Sequence, residues 1–170
     1  MTKHAQFLLM AGAAWGAALP APALAVTQNA SVRVTVVKPL TLTALQDFNL
    51  GTITLQPGTW SGVTVGISQS GVLSCASANV FCSGATSVAR YKVTGTNKQT
   101  VLISAPNVTM VNQSDPTKTL TLVVDGPSQV LLTSSGQPGV DFNLGGSITL
   151  SSATATGNYS GTFNVTVDYQ

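Results

Sequence analysis

Glutamate is missing from this sequence altogether, and the single histidine, His4, stands at its extreme N-terminal end. Five aspartates supply all the acidic side chains, and charged residues make up only 7% of the chain. General acid–base catalysis draws mostly on His or Glu, so the usual proton-transfer arrangements cannot be built beyond residue 4. Serines abound, but no G-x-S-x-G elbow and no S-x-x-K motif marks a nucleophile, and no His could activate one. Asp47 and Asp141 are the only suggestive carboxylate pair. Their shared sequence context favours a structural role, since Asp in turns bonds its own backbone. The aspartates stand alone rather than in the close spacing of a calcium loop. No enzymatic activity and no cofactor is expected.

Basic patches are lacking too. Seven Lys and Arg residues are scattered singly, which gives a net charge of +2 for the whole chain. Nothing is clustered to neutralise phosphates, so nucleic-acid binding is not expected, and no basic amphipathic helix is laid out for a membrane surface. Cysteine is scarce as well: Cys75 and Cys82 are the only two. Without further His or Cys they cannot complete a zinc site, and their spacing is not C-x-x-C. In an exported chain such a pair is expected to form a disulfide.

Export is expected from the first residues. Lys3 and His4 form a short basic region, Phe7 to Leu19 an apolar run, and Ala23-Leu24-Ala25 a small-x-small cleavage pattern. That run is shorter than the ~20 apolar residues a permanent membrane helix needs. Residues 1–25 are therefore expected to be a signal peptide, Val26 the mature N-terminus, and the product not an integral membrane protein.

What remains is rich in Val, Thr, Ser, Gly and Asn, with apolar and polar residues alternating over short runs and no sustained helical period. Strands are expected at Ala30–Val37, Leu40–Thr43, Thr52–Leu55, Gly62–Ile67, Ala89–Gly95, Thr100–Ser104, Val108–Val111, Leu120–Val124, Val130–Leu132, Ser147–Leu150 and Tyr159–Tyr169. Pro57-Gly58, Asp115-Pro116, Asp125-Gly126-Pro127 and Gly136 to Gly139 punctuate them. Many short strands and no helix imply an all-β fold, a sandwich rather than a barrel. The stretch from Val72 to Ala85, mostly small residues, reads as a loop tied down by the disulfide. Asp47-Phe48-Asn49-Leu50-Gly51 recurs as Asp141-Phe142-Asn143-Leu144-Gly145. The echo reads as two equivalent loop-to-strand entries with Phe and Leu packed inward.

The two ends carry the most regular patterns. Tyr159, Gly161, Phe163, Val165, Val167 and Tyr169 share one face of the last strand, with polar residues on the other. Near the mature N-terminus Ala30, Val32, Val34 and Val36 alternate with Ser31, Arg33 and Thr35 until Lys38-Pro39 interrupts. Proline cannot donate to a ladder, so residues 26–38 are set apart from a domain spanning 39–170.

Gly157 to Gln170 resembles the C-terminal signature of bacterial chaperone–usher pilins, with Gly157 in the turn before an alternating strand and Tyr169 penultimate. Asn29 to Pro39 is similar to the N-terminal arm of alpha (CFA-like) pilins. The whole mature chain resembles the DUF4402 family of exported bacterial proteins, through Asp47 to Gly51, Ala89 to Gly95 and Gly145 to Tyr169. The cysteine-containing loop departs from that pattern. The resemblance implies an immunoglobulin-like, Greek-key sandwich lacking one strand, whose groove accepts the N-terminal arm of a neighbouring subunit. By it, Val32, Val34 and Val36 are donor side chains. Gly157, Tyr159, Phe163, Val165, Val167 and Tyr169 form the docking strand for a like subunit or a periplasmic chaperone. An outer-membrane usher would then complete head-to-tail growth of a surface fimbria. A monomeric secreted binding module, with the N-terminal strand folded back and Trp60 exposed for glycans, is the alternative.

Overall fold

The structure is a computed structural model that describes residues 26–134 and 138–170; the expected leader and part of the Gly136–Gly139 turn lie outside the described residues. The chain divides into two units at Thr35/Val36. In the first, residues 26–35 form no strand and are exposed throughout. The strand expected over Ala30–Val37 is therefore not formed. Its alternation is intact, but no ladder pairs it, and a lone strand leaves its backbone groups to water.

The second unit is built of antiparallel strands only. In chain order they begin with β1 (Thr41–Gln46), β2 (Thr52–Leu55), β3 (Val63–Ile67), β4 (Leu73–Ser74) and β5 (Val80–Ser83). Then come β6 (Ala89–Thr94), β7 (Thr100–Ser104), β8 (Val108–Asn112) and β9 (Thr119–Asp125). The last are β10 (Gln129–Leu131), β11 (Val140–Leu150), β12 (Tyr159–Ser160) and β13 (Thr166–Tyr169). One sheet runs β1-β6-β11-β9-β8-β12, with β3 paired to β11 and β4 to β3; a second is β10-β7-β13; β2 and β5 pair as a third. Neighbours are mostly non-consecutive, so the connections cross between layers, and the whole is a β-sandwich.

Alternation makes this packing possible. Val93 of β6, Val101 and Ile103 of β7, and Phe142 and Leu144 of β11 point into one core cluster. Val65 of β3, Val108 of β8, Leu122 of β9, and Ile148 and Leu150 of β11 point into a second. Each such Val or Leu, fully buried, contributes about 1.5–3 kcal/mol. Phe48, Val124 and Phe163 touch both clusters and form the seam between them.

β11 joins the two halves. Its first residues, Val140–Leu144, pair with β6; Gly145–Ser147 pair with β9 and Gly146–Leu150 with β3. At Gly145 a Cβ would collide with the Ile67 carbonyl, and at Gly146 with Leu122 at 2.9 Å. Only glycines let both neighbours close in at the point where β11 changes partners. The second copy of the Asp-Phe-Asn-Leu-Gly echo therefore lies inside a continuous strand and is not a loop-to-strand entry. Phe142 and Leu144 are buried and Phe48 and Leu50 half-buried, so Phe and Leu point inward in both copies.

Two further expectations change. The supposed loop from Val72 to Ala85 contains β4 and β5, because Val80 is drawn into the second core cluster and the chain around it pairs with β2. Cys75 and Cys82 do form a disulfide, with Cα atoms 6.3 Å apart. The last strand is split: β12 pairs with β8, and β13 with β7. From Ser160 to Thr166 the last strand advances six residues while its partner runs seven, from Val111 to Ser104. Pro106 sits in that partner stretch. An extra residue and a missing N–H break the ladder there, yet the inward face, Tyr159, Phe163, Val165, Val167 and Tyr169, stays half-buried throughout.

Candidate functional site

The final segment from Tyr159 to Tyr169 borders both layers. β12 ends one sheet and β13 ends the other, so each is hydrogen-bonded on one side only. β1 is likewise a terminal strand, bonded only to β6. These two edges approach each other at two places. Phe48, just beyond β1, meets Phe163 edge to face with ring centroids 5.7 Å apart. At the far end the Tyr169 hydroxyl donates to the Lys38 carbonyl at 2.6 Å.

Beside the Phe48–Phe163 contact lies an open groove of about 620 Å³. One wall is the Phe48–Leu55 stretch, the other Thr154–Tyr159 with Met110 and Leu120; Ile148 and Leu150 also line it. No charged side chain lines it. An uncharged slot lined by both apolar and small polar side chains suits an extended segment with small apolar side chains, and disfavours a charge.

The groove wall is fixed from below by Asn112, which is buried with 1% exposure. Its amide donates to the Thr156 carbonyl at 3.0 Å, and its side-chain oxygen accepts from the Ser114 amide at 2.9 Å. Gly157 sits against that amide with φ of 141°, and a Cβ there would lie 2.5 Å from Asn112 Nδ2. Glycine at 157 is thus demanded twice, by conformation and by space. Tyr159 follows and donates its hydroxyl to the Ala155 carbonyl at 2.8 Å, closing the turn. Gly161 permits the crossing over β8, where a Cβ would meet Val108 at 2.6 Å.

Of the docking residues expected from sequence, Gly157 and Tyr159 line the groove, and Phe163 stands at its boundary with Phe48. Val165, Val167 and Tyr169 lie farther along the same edge and pack against the first core cluster. Val32, Val34 and Val36, expected from the resemblance to be donor side chains, are 92%, 83% and 84% exposed. The opposite wall, Phe48–Leu55, escaped sequence reading. Its one signal was the Asp-Phe-Asn-Leu-Gly echo, in which Gly51, with φ of 74°, turns the chain from β1 into β2.

The disulfide supports this wall. Among the described residues β2 pairs only with β5, and β5 only with β2. Cys82, opposite Ile53 in that ladder, is bonded to Cys75, just beyond β4. Trp60 is half-buried, packs against the second core cluster, and donates its indole N–H to the Gln56 carbonyl at 3.0 Å. That leaves no free indole face-and-donor pair of the kind a sugar platform presents.

Of the two suggestive carboxylates, that of Asp141 is held in ion pairs. Asp141 is bridged to Arg90 at 2.9 Å and lies 3.8 Å from Lys92. Asp47 follows β1, on the other side of β6, and accepts a bond from Ser87 through its backbone carbonyl. Burial, with the Asp47 charge as a smaller cause, pushes the Tyr91 phenol above its ordinary pKa. Among the described residues no group of three or more His, Cys, Asp or Glu is placed to hold a metal, and no helix is long and apolar enough to cross a membrane.

No curated protein matches the chain, and no solved structure does. A family model described as a domain of unknown function, DUF4402, matches residues 40–169. The match begins directly after Pro39 and runs through the last strand, and the chain belongs to this family.

Proposed function

We propose that the chain is a structural subunit of a bacterial surface fimbria, assembled by donor-strand exchange. The observation that carries this reading is the uncharged groove between Phe48–Leu55 and Thr154–Tyr159, which reaches Tyr159 of β12, a strand that ends its sheet. The donor is the exposed arm, residues 26–38, of a second copy. Its Val32, Val34 and Val36 fall on one face when extended, and that face carries no charge from Val26 to Val36. Length fits as well. At about 3.3 Å per residue the thirteen residues of the arm reach about 43 Å, against about 36 Å for Tyr159 to Tyr169.

Main-chain bonds to the free edge would supply affinity, and the valines would fill the slot. Each subunit then offers one arm and one groove, a head-to-tail contact that does not close and so builds a fibre. Before assembly a periplasmic chaperone covers the edge, and an outer-membrane usher releases the subunit to the cell surface. Export through the leader at residues 1–25 belongs to the same scheme.

The test is expression with a chaperone and usher, followed by unheated denaturing gels. The intact chain should give ladders that resist detergent; Val34→Asp, which would bury an unpaired charge in the slot, should give none while still accepting wild-type arms. Monomer from the intact chain in the presence of both helpers would overturn the proposal.

A further inference from the structure

We infer that Tyr169 is a latch between the acceptor edge and the root of the same subunit's donor arm, so that filling the groove steadies Lys38. This rests on the strand-exchange reading above. Three groups meet at the latch. The Thr96 amide donates to the Tyr169 hydroxyl at 2.8 Å, that hydroxyl donates to the Lys38 carbonyl at 2.6 Å, and the Lys38 amide donates to Thr96 Oγ1 at 2.6 Å. The phenol thus uses its one proton and one of its lone pairs. It joins positions 73 and 131 residues apart in the sequence.

The site is shaped for the ring. A Cβ on Gly95 would lie 2.5 Å from the phenol oxygen and 2.8 Å from Leu40, so only glycine leaves room there. The Gln170 amide bonds to the Thr100 carbonyl at 3.1 Å, which carries the ladder past Tyr169. Lys38 precedes Pro39, which has no N–H to donate, so the Lys38 bonds are the last backbone anchors before the arm.

The direction of the coupling follows from the edge. β13 is held only by β7, and a strand added to its free side fixes β13 from both sides. A steadier β13 holds the phenol, and the phenol holds Lys38. A subunit that has received an arm therefore presents its own arm from a more firmly held root than an empty one does. Growth from filled subunits is favoured over pairing of empty ones.

The experiment uses the exported chain carrying Val34→Asp, whose own arms do not compete, and a synthetic peptide of residues 26–38. Hydrogen exchange at the Thr96 amide is followed with and without peptide. The peptide should slow exchange there by about tenfold, as expected when a locally opening bond is tightened. With Tyr169→Phe added and the peptide at a concentration that saturates the variant, Thr96 should exchange fast and without response to it. If that variant does not fold, Thr96→Val removes only the Oγ1 acceptor, and the peptide should then fail to protect the Lys38 amide. A peptide that binds without slowing Thr96 exchange overturns the latch alone. A peptide that does not bind overturns the strand-exchange reading and the latch with it.

Discussion

Phe48 and Phe163 touch edge to face at 5.7 Å, and each also packs against both halves of the core. They join the link after β1 to the last strand without a single backbone bond between those segments. Phe163→Ala should cost about 2 kcal/mol in urea unfolding, less than the roughly 3–5 kcal/mol of a fully buried ring, because the ring is already partly exposed. The double variant with Phe48→Ala should show a coupling of about 1 kcal/mol, the size of an aromatic pair. A coupling of zero would mean that the rings are neighbours only.

Gly157→Ala forces a side chain onto the Asn112 amide at a backbone angle that L-residues rarely adopt. We expect a loss of about 1–3 kcal/mol, and poorer peptide capture at the adjoining groove. Asn112→Ala leaves the Ser114 amide and Thr156 carbonyl without a side-chain partner and should cost a similar amount. Thermal midpoints of the two variants decide this. Unchanged midpoints would show that the turn relaxes freely.

Replacing Cys75 and Cys82 together by Ser should lower stability by about 2.5 kcal/mol on the chain-entropy model for so short a loop. The larger effect is expected at the groove, since β2 has no ladder partner outside β5. Exchange of the Ile53 amide should quicken well before global unfolding. If the amides of β2 keep their protection, packing alone holds the wall.

Tyr91 gives the alkaline limb of stability a definite sign. Its pKa in the folded chain is raised by burial, then by Asp47, so below the unfolded value of 10.0 the phenol is neutral in both states. Above that pH the unfolded chain ionises first and is favoured, so stability falls as pH climbs from the unfolded toward the folded pKa. Urea midpoints at pH 9 and 11 should differ more for the wild type than for Tyr91→Phe. Equal differences would remove Tyr91 as the cause.

Much of this was written in local pattern. The alternation of Tyr159 through Tyr169 gave the buried face correctly, because side-chain period survives even where pairing fails. The break between β12 and β13 was hidden, since it is set by Pro106 and one extra residue in the partner strand. β5 was missed because its small and polar neighbours mask the one buried residue, Val80, that holds it. The turn role of Gly157 was legible; the reason, Asn112 pressed against it, lies 45 residues upstream. The far groove wall and the bonds of Tyr169 depend on long-range partners, which periodicity does not encode. The alternation of the arm was also plain, but a strand pattern does not say what it pairs with.

The split final strand also bears on when the molecule is finished. Residues from Tyr159 onward complete an edge of both sheets, and they follow in sequence the strands they pair with. Until they arrive, β7 and β8 each expose a row of backbone donors and acceptors together with the apolar residues that Phe163 and Val167 later cover. Pairings between such distant segments form slowly, so the incomplete sandwich has a lifetime in which it can aggregate. A chain truncated before Tyr159 is accordingly left with β7 and β8 unpaired on that side.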